Sequence, residues 1–310
     1  HLDKPISSRV CFGCLARFPD RRLPCLHSFC EICFEVFGKR CNNQLYTFHI
    51  LECTICFARF DGIKVHIQTP TAGARMLTVD GGGIRGVVTL ISLIRLQAAI
   101  SRIVGVKLPI QEHFFDMAIG TSSRGLIALG LFSQGWSVDE WLRQFIWLTN
   151  KAFRRRPHPT CLPILCRVID YMNSFAADSQ YSADGIEEAL KEAFGDERDM
   201  CARDNNRTKV AITATTTNSL PCVFTSYNSG GERPLDCGYT VVRPYDRGIK
   251  VWEAGWCTSA APWYFSPKRL AGLGTFHDGG LWQNNPTSIG LWEWPHVCPD
   301  AGEPDLVLSL

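Results

Sequence analysis

The feature that most constrains the fold is a pattern that occurs twice: an apolar run, a tight turn of small residues, and then helical periodicity. The run Met76–Val79 leads into the glycine-rich segment 80–86, and apolar residues then recur at helical spacing through residue 96. The run Phe115–Thr121 ends at Ser122, and an apolar helical pattern follows to residue 131. Short apolar runs that alternate with helical patterns indicate buried, parallel strands. We therefore predict an α/β fold, a three-layer α/β/α sandwich over residues 75–310, with further helices near 137–153, 163–174 and 183–194 and strands near 209–215, 222–227 and 305–310.

Three consecutive glycines, Gly81 to Gly83, lie between the first predicted strand and its helix. Unhindered backbone N–H groups at a helix N-terminus favour negative charge, so the segment suits a phosphate site or an oxyanion hole as well as a plain tight turn. A dinucleotide fingerprint fits Gly81, Gly83 and Gly86, but the acidic residue expected about 20 positions later for ribose binding is absent. Nicotinamide or flavin binding is therefore disfavoured.

A candidate nucleophile and a candidate base occur at two other turns. Ser122 follows a strand and precedes a helix, which is the position of a serine in a nucleophile elbow. Asp278 stands at the end of a predicted strand and is followed by two glycines that leave room for close approach. His277 suggests a Ser–His–Asp triad instead, but adjacent strand residues point to opposite faces. A Ser122–Asp278 dyad is the better prediction.

These segments together resemble the patatin-like phospholipase family, which carries a D-G-G-G-x-R-G loop, a G-T-S-x-G-G elbow and a D-G-G motif in this order. Residues 80–86, 120–125 and 278–280 follow that order, and Ser259–Pro262 and Asn284–Pro286 also fit. The resemblance implies a serine acyl hydrolase that cleaves ester bonds of (lyso)phospholipids or other glycerolipids through an acyl-enzyme. It implies Ser122 as nucleophile, Asp278 as base and an oxyanion hole at Gly81, Gly82, Gly83 and Arg85. A peripheral membrane surface is an expected partner, and no catalytic cofactor is expected.

One position departs from the family pattern. Arg124 stands two places after the nucleophile, where the family has glycine. An arginine there must swing away or disturb the elbow, and we expect it to point outward to water because burying an unpaired charge is costly. If the elbow were impaired, the domain would instead be a catalytically dead lipid-binding scaffold.

Eight of the fifteen cysteines lie before residue 57, and with one histidine they set the character of the N-terminal segment. Four pairs are spaced for metal binding: Cys11 with Cys14, Cys25 with His27, Cys30 with Cys33, and Cys53 with Cys56. Zinc takes four such ligands tetrahedrally, so two structural zinc ions fit. A disulfide framework is the alternative, disfavoured because nothing indicates secretion. Cys41 is left over as a free thiol.

The order of the eight residues resembles the C3HC4 RING finger, in which the first and third pairs share one ion and the second and fourth share the other. The resemblance implies a zinc-bound RING-like module over residues 1–60 and a protein partner, with ubiquitin-ligase activity as an alternative function. RING fingers that recruit conjugating enzymes carry an apolar residue before the second cysteine and a proline after the seventh. Gly13 and Thr54 stand there instead, so we expect little ligase activity and favour a structural or protein-interaction role.

Composition sets the remaining limits. The turn Asp61-Gly62 and the small residues that follow predict a linker over residues 61–74. A net charge of +2 gives no basic excess of the kind that general nucleic-acid binding needs, so no nucleic-acid partner is expected. No uninterrupted apolar run reaches the roughly 18 residues of a membrane span. We expect a cytoplasmic protein, peripheral to membranes at most, whose chain continues beyond residue 310.

Overall fold

A computed structural model describes residues 7, 9–42, 44, 46–67, 73–152, 183–200, 208–230, 233–234, 236–244, 248–299 and 302–310. The described chain forms two units, an N-terminal finger up to residue 67 and a larger α/β unit from residue 73. Each has its own apolar core, so each is described in turn.

The finger is a small unit of two short sheets and one short helix. Its elements are β1 (Arg21–Arg22), β2 (Ser28–Phe29), α1 (Glu31–Phe37), β3 (Lys39–Arg40), β4 (Thr47–Glu52) and β5 (Arg59–His66). Strands β3, β4 and β5 form an antiparallel sheet, and Phe34, Phe48, Ile50 and Val65 pack in the core with the buried cysteines.

The finger extends further along the chain than the sequence predicts. Asp61 and Gly62, expected to open the linker, lie inside β5, and Ile67 is buried in the finger core. The backbone N–H of Ile67 donates to the carbonyl of Tyr46 at 2.8 Å. The predicted linker therefore loses its first residues to a strand, and its positions 68–72 lie outside the described residues.

The larger unit alternates strands and helices. Its elements are β6 (Arg75–Val79), a 3-10 turn (Gly83–Arg85), α2 (Gly86–Val104), α3 (Ile110–His113), β7 (Met117–Thr121), α4 (Ser122–Ala128), a π-helical turn (Leu129–Ser133), α5 (Val138–Ala152), α6 (Ala183–Phe194), β8 (Lys209–Thr216), β9 (Pro221–Thr225), β10 (Thr240–Val242), α7 (Val251–Ser259), β11 (Lys268–Leu270), β12 (Gly274–Asp278), a second 3-10 turn (Gly279–Leu281), α8 (Thr287–Val297) and β13 (Leu306–Ser309).

The strands form one mixed sheet with the order β10-β9-β8-β7-β6-β13, and β12 joins it on β8. Alternate residues of each strand face opposite sides. Leu77, Ala118 and Ile212 pack against helices α2 and α4–α7 on one side, whereas Met76 and Ile119 pack against α8 on the other. This arrangement confirms the α/β fold with helices on both faces of a largely parallel sheet.

Three helices of this unit, the single-turn α3 and the longer α7 and α8, do not appear among the predicted elements. Helix α7 is apolar almost all round, so it has no amphipathic period to detect. Helix α8 contains Pro295 and Gly290, which lower its helical propensity. The helix predicted at 163–174 lies outside the described residues.

The strand β13 lies at one edge of the sheet and fixes the loop that follows β6. It pairs in parallel with β6 from Leu306 to Ser309. Just beyond, the carbonyl of Leu310 accepts a hydrogen bond from the Asp80 N–H at 2.9 Å. The start of the glycine loop is therefore held by residues close to position 310.

The finger contacts the larger unit near the beginning of β8. Lys209 Nζ lies 3.4 Å from the Glu31 carboxylate, and Asn228 Nδ2 donates to the Pro19 carbonyl at 2.9 Å. Since Lys209 and Thr213 are four residues apart on a strand, this contact stands about 13 Å from the end of β7 at which Ser122 lies. The finger therefore sits at the opposite end of the sheet from that serine.

Candidate active site

Ser122 occupies a strained turn at the end of the central strand β7. Its φ of 58° lies in the left-handed region, which side chains other than glycine rarely adopt. The turn is so tight that a Cβ on Gly120 would come within 2.8 Å of the Arg124 carbonyl oxygen. The Ser122 N–H donates to Thr258 Oγ1 at 2.8 Å. Strain of this kind, held by its surroundings, is typical of a nucleophile elbow.

Asp278 reaches Ser122 because two strands share one edge of β8. Strand β7 pairs with β8 up to Thr213, and β12 pairs with the same edge of β8 from Ala214 onward. The last residue of β12 is therefore placed beside the residue that follows β7. Ser122 Oγ donates to Asp278 Oδ2 at 2.5 Å.

The carboxyl group of Asp278 is buried, with 5% of the residue exposed. Burial raises its pKa to about 6, while hydrogen bonds from the Ser122 hydroxyl and the Gly280 N–H act in the opposite direction. His277 Nδ1 forms no hydrogen bond within the described residues, and neither oxygen of Asp278 is bonded to a histidine there. The described site is thus a two-residue arrangement.

The glycine loop is next to the nucleophile, but its three N–H groups differ. The Gly81 N–H donates to the Asn284 carbonyl at 2.9 Å, which uses the donor that we expected to face an oxyanion. The Gly82 and Gly83 N–H groups have no acceptor among the described residues. The Ser123 hydroxyl donates to the Gly83 carbonyl at 2.6 Å, and the Arg85 side chain is exposed. Two free backbone donors therefore remain in the loop.

Arg124 does not point out to water as expected. Its guanidinium lies against the glycine loop, 3.0 Å from the place where a Cβ on Gly82 would stand, and Nη1 donates to the Leu310 carbonyl at 3.3 Å. Burial lowers its pKa, and the carboxylate of Asp80 opposes that shift. The elbow is not displaced, since Ser122 still meets Asp278. Arg124 thus places a half-buried positive charge beside Gly82.

Two supporting residues escaped the sequence analysis. Thr258 in α7 accepts the Ser122 N–H, and Thr213 in β8 forms a buried hydroxyl–hydroxyl hydrogen bond to Thr121 at 2.7 Å. Neither lies in a glycine motif, so no local pattern marks them. Asn284 belongs to the segment Asn284–Pro286 that fits the family pattern, and its backbone carbonyl accepts the Gly81 N–H.

The eight cysteine and histidine side chains of the finger meet in two groups. One group holds Cys11, Cys14, Cys30 and Cys33, and the other holds Cys25, His27, Cys53 and Cys56. Within each group the ligand atoms lie within 4.8 Å of one another. These are the two sets that the RING resemblance implies, with the first and third pairs together and the second and fourth together.

The distances within the groups suit a tetrahedral zinc ion. Sulfurs about 2.3 Å from a zinc ion stand about 3.8 Å apart, and Cys14 Sγ lies 3.8 Å from Cys30 Sγ. His27 Nδ1 lies 3.5 Å from Cys25 Sγ and 3.4 Å from Cys53 Sγ. A disulfide bond needs about 2.05 Å, and every cysteine in the described residues is free. The residues therefore fit metal better than disulfides.

Comparison with known proteins supports the α/β unit. Residues 77–291 match the family described as patatin-like phospholipase. A cGAMP-activated phospholipase of Vibrio cholerae is 30% identical over 222 residues, which are 71% of this chain and 57% of that protein. Calcium-independent phospholipase A2-gamma of Mus musculus is 30% identical over 234 residues, 74% of this chain and 27% of that protein. The mouse 85/88 kDa calcium-independent phospholipase A2 is 28% identical over 227 residues, 70% of this chain and 23% of that protein.

The match is to a part of each relative, since the aligned segment spans little more than half of the bacterial protein and about a quarter of each mouse protein. The family match covers more than half of the chain and includes the glycine loop, the elbow and the Asp278 turn. The chain belongs to the patatin-like phospholipase family.

Proposed function

We propose that this protein is a serine acyl hydrolase that cleaves ester bonds of (lyso)phospholipids or other glycerolipids. The observation that carries the proposal is the 2.5 Å hydrogen bond from Ser122 Oγ to Asp278 Oδ2 beside a glycine loop. Relatives that are named as phospholipases support the substrate class. The intact hydrogen bond argues against a catalytically dead scaffold.

The chemistry proceeds through an acyl-enzyme. Asp278 accepts the hydroxyl proton of Ser122 as Oγ attacks the ester carbonyl, and it returns that proton to the departing alcohol oxygen when the C–O bond breaks. Water then loses a proton to Asp278 and attacks the acyl group, and the fatty acid leaves as Ser122 regains its proton. Formation and hydrolysis of the acyl-enzyme therefore use the same base.

Negative charge on the carbonyl oxygen is stabilised by the glycine loop. The free N–H groups of Gly82 and Gly83 are the donors available for it, and the Arg124 guanidinium adds positive charge behind Gly82. Donors that are already in place cost no reorganisation during the reaction. An arginine at position 124, where the family has glycine, is therefore compatible with activity.

The raised pKa of Asp278 predicts the acid limb of the pH profile. Because only the carboxylate accepts the Ser122 proton, and burial raises its pKa to about 6, activity is lost as pH falls through about 6. We expect kcat/KM for a soluble short-chain ester to fall about tenfold for each pH unit below that value. The measurement is initial rate against pH on an uncharged ester. A profile flat down to pH 4.5, in protein that stays folded, would contradict the assignment of Asp278 as base.

Large apolar side chains are exposed around the dyad. Ile84 lies in the glycine loop directly after Gly83 and is 66% exposed, and Trp282 lies four residues after Asp278 and is 59% exposed. Trp263 is also exposed and follows Ala260, whose carbonyl accepts the Asp278 N–H at 2.9 Å. Tryptophan favours membrane interfaces because it is apolar with one polar edge. These residues suit a lipid surface at the mouth of the site.

The helix α2 continues this apolar surface away from the mouth. The stretch Gly83–Val104 is long and apolar enough to cross a membrane by length and composition. One of its faces packs in the core through Leu90 and Leu93. The opposite face is exposed over about 27 Å, with residues three or four positions apart. It is apolar near the mouth of the site and carries arginines farther along the helix. Its exposed residues are Ile84, Val88, Ile91, Arg95, Ala98 and Arg102. This face suits a helix lying on an anionic membrane surface.

Comparing two substrates separates membrane docking from chemistry. Val88→Asp places a charge in the middle of this face, so we expect at least a tenfold loss of fatty acid release from vesicles of phosphatidylcholine and phosphatidylserine. Turnover of a soluble short-chain ester should stay within twofold, because Val88 does not touch the dyad. Ile103→Asp is the matched control on the same helix, since Ile103 is 85% exposed and points to another side.

Each outcome of that comparison is informative. Equal losses on vesicles for both variants would contradict the docking face while leaving the hydrolase proposal intact. Failure of the unmodified protein to release fatty acid from either substrate would contradict the hydrolase proposal itself.

We further propose that each cysteine and histidine group of the finger binds one structural zinc ion. A ubiquitin-ligase function is not favoured, because an apolar side chain cannot replace Gly13: its Cβ would lie 2.6 Å from Cys33 Sγ and 3.1 Å from the Phe37 ring. The position that docks conjugating enzymes in RING fingers is thus restricted to glycine here. The finger acts as a structural or protein-interaction module.

A further inference from the structure

One face of the finger sheet carries three basic residues in a single row across its strands. Lys39 of β3 is paired with His49 of β4, and His49 is paired with Lys64 of β5. Residues paired in this way project from the same face, and neighbouring strands lie about 4.8 Å apart. The row therefore collects two ammonium groups and one imidazole on a single face of the sheet.

No acidic side chain of the described finger neutralises this row. Lys39 and Lys64 are exposed and His49 is half-buried, and none of the three forms an ion pair with another described residue. The row lines a groove of about 620 Å³ together with Arg40, Cys41, Asn42, Gln44 and Leu51, and no carboxylate is among the lining residues. The groove is cationic and large enough for a small anion.

We propose that this groove binds a phosphomonoester group. The lysine ammonium groups carry long flexible stems, so those of Lys39 and Lys64, on strands about 10 Å apart, can converge above His49. A phosphomonoester carries nearly two negative charges and three acceptor oxygens, which matches two ammonium groups and one ring N–H. A carboxylate carries one charge and leaves the row partly uncompensated. The ligand is a soluble phosphomonoester or a lipid headgroup that ends in one.

The probe for the soluble source is glycerol 3-phosphate, titrated by calorimetry into the Ser122→Ala chain so that hydrolysis plays no part. We expect the Lys39→Glu, Lys64→Glu double variant to lose at least tenfold in affinity. Lys107→Glu makes the same change at an exposed lysine of the other unit and should stay within twofold. Because both lysines are exposed, their replacement should not lower the melting temperature, which separates lost binding from lost folding.

The second arm uses phosphatidylcholine vesicles with and without phosphatidic acid. A lipid headgroup is the ligand if vesicles with phosphatidic acid retain more of the protein than vesicles without it. The double variant should then lose this extra retention, and glycerol 3-phosphate should compete it away. Binding of glycerol 3-phosphate without that extra retention assigns it to a soluble ligand.

Equal affinity of the double variant and the Lys107→Glu control for glycerol 3-phosphate would overturn the proposal. So would the absence of binding to the unmodified groove, or acetate binding as tightly as the phosphate probe.

Discussion

Replacing Ser122 by alanine is expected to lower kcat for a short acyl nitrophenyl ester by at least about 1000-fold, because the proposed reaction then has no nucleophile. Asp278→Asn should lower kcat by at least about 100-fold, since an amide cannot accept the Ser122 proton. Ser123→Ala is the matched control. The Ser123 hydroxyl donates to the Gly83 carbonyl and not to Asp278, so its removal should lower kcat by less than about tenfold.

Thermal melting distinguishes lost chemistry from lost structure in these variants. Folding raises the pKa of Asp278 from 3.8 to about 6, so the contribution of this group to stability is greatest below about pH 4 and is lost as pH rises through 6. At pH 7.5 the buried carboxylate costs on the order of 1–3 kcal/mol. Asp278→Asn should therefore be inactive and yet melt about 2–6 °C higher. Equal rates for the unmodified protein, Ser122→Ala and Asp278→Asn would reject the dyad.

Removal of metal is expected to unfold the finger. A structural zinc ion contributes roughly 10 kcal/mol or more to the folding of a small module that buries little apolar surface. We expect freshly purified protein to contain about two zinc ions per chain, and a strong chelator to abolish hydrogen-exchange protection in β4 and β5. Protection in β6 and β7, which belong to the other core, should persist.

Two cysteine variants sharpen this measurement. Cys30→Ser removes one ligand from the first group and should lower the zinc content by about one ion. Cys41→Ser changes a cysteine outside both groups and should leave the zinc content unchanged. Purified protein without zinc, whose finger nevertheless resists chelator, would contradict the metal assignment.

The turns that carry Ser122 and Asp278 could be predicted from sequence because only small neighbouring residues permit them. Ser122 requires glycine at position 120 for the close approach, and Asp278 is followed by glycines, so both turns leave a local signature. The strand pairing that brings the two turns together is not local in sequence. The pairing of β12 with β8 beyond the end of β7 depends on the register of three strands that are far apart in sequence.

The incorrect expectations have physical causes. Asp61-Gly62 has the composition of a turn, but it forms an irregularity within β5, where the flanking residues Arg59 and Ile63 pair with β4 and Gly62 has a φ of 68°. Arg124 was expected to reach water, yet the Leu310 carbonyl and the Asp80 carboxylate lie near its guanidinium. Neither partner is near it in sequence. Local sequence patterns therefore predict the turns of the site better than the charges that reach it from distant parts of the chain.

The pairing of β6 with β13 has a consequence for the order of events during synthesis. A ribosome adds about 5–20 residues each second, so roughly 10–50 s separate the synthesis of residues 75–79 from that of residues 306–309. For that interval the Asp80 N–H and the Arg124 guanidinium lack the Leu310 carbonyl, and for most of it Asp278 does not yet exist. The proposed dyad therefore cannot form until Asp278 has been synthesised, and the glycine loop gains its contact with Leu310 only when the edge of the sheet is complete.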